Sequence, residues 1–108
     1  GFLEEKESTA DGAKREAWEE AHARIEIDAL LGLYNIPRIS QIQMIYRARL
    51  LDPDVSPGIE SAEVAMFTWD EIPWDEIAFP SVHWALGHYR ETIGQSDFAP
   101  RPEGPMGL

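Results

Sequence analysis

The chain has 108 residues, 44% of them apolar, a formal charge of −11 and no cysteine. That length suffices for one domain with a core, and the acidity excludes sequence-independent binding to nucleic acid, which needs Lys and Arg facing phosphates. No stretch is apolar for long enough to span a membrane, and no signal peptide is expected before the domain. Without cysteine there is no disulfide or Cys-based zinc site, so a reducing cytoplasm is the expected compartment.

Residues 1–7 read as a loop. Ser8 suits an N-cap, with Asp11 three residues on as a shortened capping-box partner, and the spacing predicts a helix over 9–21. Ala10, Ala13, Ala17 and Ala21 recur at intervals of 3, 4 and 4, a small-residue stripe that lets the helix lie close on a sheet with its glutamates pointing away. Glu16, Glu19 and Glu20 stand at i, i+3 and i+4, which puts three carboxylates on one helix face within about 5–6 Å. Like charges at that spacing cost a bare helix roughly 0.2–0.5 kcal/mol. A hard divalent cation offsets this, since Mg²⁺ takes carboxylate oxygens and keeps waters for substrate phosphates. A solvated acidic face is the plain alternative and, for an isolated ExxEE, the commoner one. Glu7 and Arg15 are expected to pair and tie the loop to the helix; a weak surface ion pair is the alternative.

From residue 24 to 36 the pattern turns to strand. Ile25, Ile27, Ala29, Leu31 and Leu33 alternate with outward Glu26 and Asp28, and Gly32 marks a bulge or a close approach. A turn over 37–40 leads to a second strand over 41–51, with Ile42, Met44, Tyr46, Ala48 and Leu50 on one face and Gln43, Arg47 and Arg49 opposite, so the pair forms an antiparallel hairpin. Residues 52–61, rich in Pro, Asp, Ser and Gly, are a loop. A short third strand is expected over 63–68. WDEI at 69–72 and 74–77, split by Pro73, reads as two helical turns. Ser81 is expected to cap a last helix over 82–93, with the stripe Val82, Leu86, Tyr89 and Ile93 as its buried face and Gly94 as its stop. The fold class is α+β, with 1–94 as the folded part and 95–108 as a disordered tail.

Gly1, Glu7, Arg15, Glu16, Glu19 and Glu20 fall at the spacing G-x5-E-x7-R-E-x2-E-E, and this pattern resembles the Nudix box, the signature of hydrolases acting on nucleoside diphosphates linked to another group. One position departs: where the family has Gly two residues after the last Glu, this chain has His22. That glycine ends the helix in a left-handed conformation, and histidine is among the side chains seen more often at positive φ, so the turn is expected to survive. The run PGIES-x-E-x3-F-x2-DEIPWDEIAF extends the resemblance to about residue 92, towards a branch that includes ADP-ribose, FAD and NADH-type pyrophosphatases, some with a zinc ribbon upstream.

The resemblance implies an α/β/α sandwich, here incomplete, because several strands precede the box in that family; the chain looks like the C-terminal two-thirds of such a domain. It implies hydrolysis of a pyrophosphate bond, with Mg²⁺ (or Mn²⁺) as Lewis acid and water attacking phosphorus. Glu16 and Glu20, one turn apart, are the expected metal ligands. Glu19 is a further ligand or the base that takes the water's proton, and Arg15 orients Glu7 and the loop. The family also draws a glutamate from a later loop, for which Glu60 and Glu63 are candidates, each also readable as a plain surface acid. A metal role for His22, His83 or His88 is rejected on spacing. Arg38, Arg47 and Arg49 could reach phosphates, although an exposed basic sheet face is the commoner explanation. Two other readings stand beside the hydrolase: a Nudix-like binding module without turnover, and a fragment that associates through an open sheet edge. A nucleotide-type small molecule, and a second copy in a homodimer, are the expected partners; slow turnover is expected of the chain by itself.

Overall fold

The computed structural model describes residues 3–59, 61 and 63–102. The first helix, α1, spans Thr9–Ala21. The Ser8 hydroxyl accepts the Asp11 N–H at 3.1 Å, satisfying one of the amides that a helix start leaves without an internal partner. The helix ends at His22, which takes the left-handed conformation (φ 48°, ψ 33°), as expected of the position where the box has glycine.

Two strands follow, β1 (Ile25–Ile36) and β2 (Gln41–Leu50), paired as a two-stranded sheet. Their link is a single 3-10 turn, Pro37–Ile39, closed by Ser40 at φ 53°. Further 3-10 turns at Trp69–Glu71 and Trp74–Glu76 occupy the two WDEI segments. The second helix, α2, spans Pro80–Thr92. Among the described residues no helix is long and apolar enough to cross a membrane.

The chain divides into two units, residues 1–28 with 48–70 and residues 29–47 with 71–108. The second holds the apolar core. Leu31, Tyr34, Ile36 and Trp84 are buried, and the Tyr34 and Trp84 rings meet edge-on with centroids 5.6 Å apart, a favoured aromatic geometry. Below Trp84 on α2, His88 Nδ1 lies 2.7 Å from the Tyr34 hydroxyl. Arg47, buried on β2, donates to the carbonyls of Thr92 and Gln95, both at 2.7 Å, and its guanidinium lies 4.8 Å from the Phe98 ring centre. A cation at a helix C-terminus meets both the orphan carbonyls and the negative end of the dipole.

Several expectations are corrected here. The alternation in β1 changes phase: Leu31 and Gly32 are both buried, after which Tyr34 and Ile36 point inward and Leu33 is exposed. The cause is local. The Tyr34 ring folds back over Gly32, where a Cβ would come within 2.7 Å of it, and Arg101 bridges Gly32 with backbone bonds to Leu31 and Leu33, both of 2.9 Å. Within the stretch read as a tail, residues 95–102 therefore carry Arg101 onto the edge of β1. On β2, Ile42 is 68% and Met44 41% exposed while Arg47 is buried, against the face assignment; Tyr46, Ala48 and Leu50 are half-buried and Arg49 exposed, in keeping with it. The last helix begins at Pro80 with Phe79 as N-cap and Pro in the first turn, because proline lacks the N–H that this position does not need; Ser81 is then inside the helix and buried. Of the expected stripe, Val82, Tyr89 and Ile93 are 40–57% exposed and Leu86 is half-buried, while the buried residues of the helix are Ser81, Trp84 and Thr92. Residues 63–68 form no strand among the described residues, since extended backbone becomes sheet only where another strand accepts its hydrogen bonds.

The first unit is built differently. None of the buried large apolar side chains belongs to it among the described residues, and polar staples hold it together instead.

Candidate active site

Construction starts at Gly12, the buried residue of α1. A Cβ there would come within 2.6 Å of Leu3 Cδ2 and 3.2 Å of Glu7 Oε1, so a side chain at position 12 would crowd the glutamate that the loop lays onto the helix, and glycine leaves it room. Glu7 then meets Arg15 in a two-point contact, Arg15 Nε donating to Oε2 at 2.8 Å and Nη2 to Oε1 at 3.1 Å. The Glu4 N–H also donates to Glu7 Oε1, at 3.0 Å. With 13% of its side chain exposed, Glu7 is in no ordinary surface ion pair. Arg15 first, then the Glu4 amide, holds its carboxyl below the usual glutamate value, and the same contact pushes the Arg15 guanidinium up. Planar two-point pairing of this kind fixes orientation as well as charge.

Arg15 is also the hub for the carboxylates of the helix. Its Nη1 donates to Glu19 Oε2 at 2.9 Å, and Nη2 lies 3.7 Å from Glu16 Oε1. Thus Glu7, Arg15, Glu16 and Glu19 form one connected group. The Glu20 carboxylate is exposed and makes no hydrogen bond or ion pair among the described residues. One turn separates it from Glu16, so the two carboxylates share a face. No three acidic, His or Cys side chains gather as a ready metal cage among the described residues. A hard divalent cation does not need one: one or two carboxylates, waters and substrate phosphates complete its shell. The donor chemistry of Glu16 and Glu20 therefore fits such an ion.

The end of the helix is held by the loop that follows the hairpin. Gly58 N–H donates to Glu20 O at 3.1 Å and Ser56 N–H to Ala21 O at 2.9 Å; the Ser61 hydroxyl adds a second bond to Glu20 O at 2.7 Å. Gly58 is buried against the backbone of Glu19 and Glu20, where a Cβ would collide with the Glu19 carbonyl. Of the two later-loop candidates, Glu63 is exposed, and Glu60 lies outside the described residues, as does Gly1 of the box. The histidines are dispersed: His22 bonds Ser56, His83 Nε2 donates to the Ile77 carbonyl at 3.1 Å, and His88 bonds Tyr34. Of the arginines that could have reached phosphates, Arg47 is buried under α2 and Arg49 pairs with Glu26 at 2.8 Å. Sequence reasoning treated residues 52–61 as plain loop; the signal for the docking was Gly58 between Pro57 and Ile59, since glycine marks a place where backbones approach closely.

No family model matches the chain. A MutT-like protein of Streptomyces ambofaciens is 32% identical over 72 residues, 67% of this chain and 47% of that protein. The crystal structure of a NUDIX hydrolase from Nitrosomonas europaea superimposes with a TM-score of 0.84 at 48% identity, over 94% of this chain and 59% of that one. The chain thus spans about half the length of the MutT-like relative and about three-fifths of the solved one. Likeness of backbone and of sequence at this level, joined to a helix whose box arginine gathers Glu7, Glu16 and Glu19, makes this chain a member of the Nudix hydrolase family.

Proposed function

We propose that the protein hydrolyses the pyrophosphate bond of a nucleoside diphosphate derivative, of ADP-ribose, FAD or NADH type, with Mg²⁺ (or Mn²⁺) held by Glu16 and Glu20. The observation that carries this reading is the division of labour on α1: Arg15 is occupied by Glu7 and Glu19, while the Glu20 carboxylate, one turn from Glu16, is left without a partner among the described residues. Bound there, the cation would supply positive charge to the phosphoryl oxygens and make water a better nucleophile. The residues of the chain orient and hold. Glu7 fixes the plane of Arg15, and Arg15 in turn fixes Glu19 beside the pair. From that position Glu19 takes the proton of the attacking water, or joins Glu16 and Glu20 as a ligand. A chain with a net charge of −11 repels a pyrophosphate unless a cation screens the two, which makes the metal a requirement for binding as well as for chemistry. Glu63 remains a candidate for the later-loop glutamate.

The test is AMP release from ADP-ribose, FAD and NADH, each with and without Mg²⁺. Metal-dependent release from at least one supports the reading. Binding of a nucleotide without release would favour a module that keeps the fold and has lost turnover.

A further inference from the structure

His22 stands where the Nudix box has glycine, and its side chain is engaged. Its Nδ1 and the Ser56 hydroxyl share a hydrogen bond of 2.7 Å. The Trp18 ring, one turn back on α1, lies tilted against the imidazole with centroids 5.0 Å apart, and the Arg24 guanidinium covers Trp18 at 5.4 Å. The backbone of Ser56 makes the bond to Ala21 O, and the two residues after Pro57 and Gly58 lead to Ser61, whose hydroxyl, with the Gly58 N–H, reaches Glu20 O. Helix C-termini expose carbonyls that need donors. Here the donors to the Glu20 and Ala21 carbonyls come from one loop, and His22 at the helix end reaches across to fasten that loop.

We propose that His22 is a positioning residue: its bond to Ser56 clasps the loop onto the carbonyl end of α1 and thereby fixes the turn that carries Glu20. It rests on the metal-site reading given above. A glycine at position 22 gives the helix its left-handed end but no clasp. Histidine gives both, at the cost of a side chain in a conformation that disfavours a Cβ. Glu20 gains from this because its own carbonyl receives two of the loop's bonds, so displacement of the loop frees the peptide next to a metal-ligand carboxylate. Groups that orient a ligand in this way alter metal affinity without touching the metal.

Three variants separate the side-chain bond from the backbone conformation. H22G keeps the left-handed end and removes the imidazole. S56A removes the other partner. H22N keeps a residue tolerant of positive φ and puts an amide atom at the same bond distance from the backbone as Nδ1. Two readouts are compared: exchange of the Ser56 and Gly58 amides in the metal-free chain, and Mn²⁺ affinity by electron paramagnetic resonance. Loss of one such bond is expected to speed exchange and weaken Mn²⁺ binding by about 2- to 10-fold in H22G and S56A, with H22N near wild type in both. Wild-type exchange in H22G overturns the clasp. Faster exchange with unchanged Mn²⁺ affinity overturns the positioning role, and an H22N variant as impaired as H22G overturns the assignment to the hydrogen bond. A wild-type chain that binds no Mn²⁺ overturns the hydrolase reading and the positioning role with it; the exchange comparison needs no metal and decides the clasp by itself.

Discussion

Arg15 and Arg47 show how differently one residue type is used. Arg15 lies in a motif and its partner Glu7 is eight positions away, so the pair was legible from spacing. Arg47 sits among the outward residues of an alternating strand, and nothing local reveals that the end of α2 arrives above it with two carbonyls to satisfy. The Tyr34–His88 pair was equally hidden. Burial pushes the Tyr34 hydroxyl up to about 12, with Glu91 adding to the effect. Burial also lowers His88, against the pull of Glu91 and with the help of Arg101. Folding thus favours neutral His88, while the unfolded chain takes up a proton near the ordinary histidine value of 6.5. Stability from this group is complete above that value and is lost as pH falls below it, because there the unfolded state binds more protons. Melting temperature is therefore expected to drop between pH 7.5 and 5.5 more steeply in the wild type than in H88Q; equal slopes would show that His88 does not carry the dependence.

Elements were more legible than their faces. The capping serine, the alanine spacing and the left-handed stop located α1 to the residue, and two alternating runs around a proline turn located the hairpin. Facing directions depend on what arrives from elsewhere. In α2 three of the four stripe residues, Val82, Tyr89 and Ile93, face outward, and the helix is seated through Trp84, His88, Ser81 and Thr92, a mixed set that no hydrophobic period marks. In β1 the phase change follows from Tyr34 folding onto Gly32 and from the bridge to Arg101. The two faces of α2 give opposite expectations for substitution. Trp84→Ala should cost about 3–5 kcal/mol, as truncation of a buried aromatic does, whereas Val82→Gln on the exposed side should stay within about 0.5 kcal/mol. Urea denaturation of both variants checks this, and a large loss in Val82→Gln would mean that its face is covered in solution.

For the molecule as a whole, the sequence exposed its chemistry better than its architecture, because the box is a local pattern and the sheet is not. Two strands make a marginal sheet, and β2 has no further strand beside it among the described residues. Ile42 and Met44 stand exposed on that strand, and unpaired strand edges invite another chain. We accordingly propose that the chain self-associates, as a homodimer through this strand; sedimentation should give a dimer mass, and a monomer at micromolar concentration would refute it. The two units differ in what holds them, an aromatic core in one and a network around Arg15 and the helix end in the other. That network serves the central claim, that Glu16 and Glu20 hold a divalent cation for pyrophosphate hydrolysis. The most direct measurement is AMP formation from ADP-ribose as a function of Mg²⁺ concentration, for the wild type and for E16Q and E20Q. The account predicts no reaction without metal, saturation with Mg²⁺, and a kcat lower by about 10²–10³ in each variant, the range for removing one group that stabilises developing charge. Hydrolysis that ignores Mg²⁺, or wild-type rates in both variants, would contradict it.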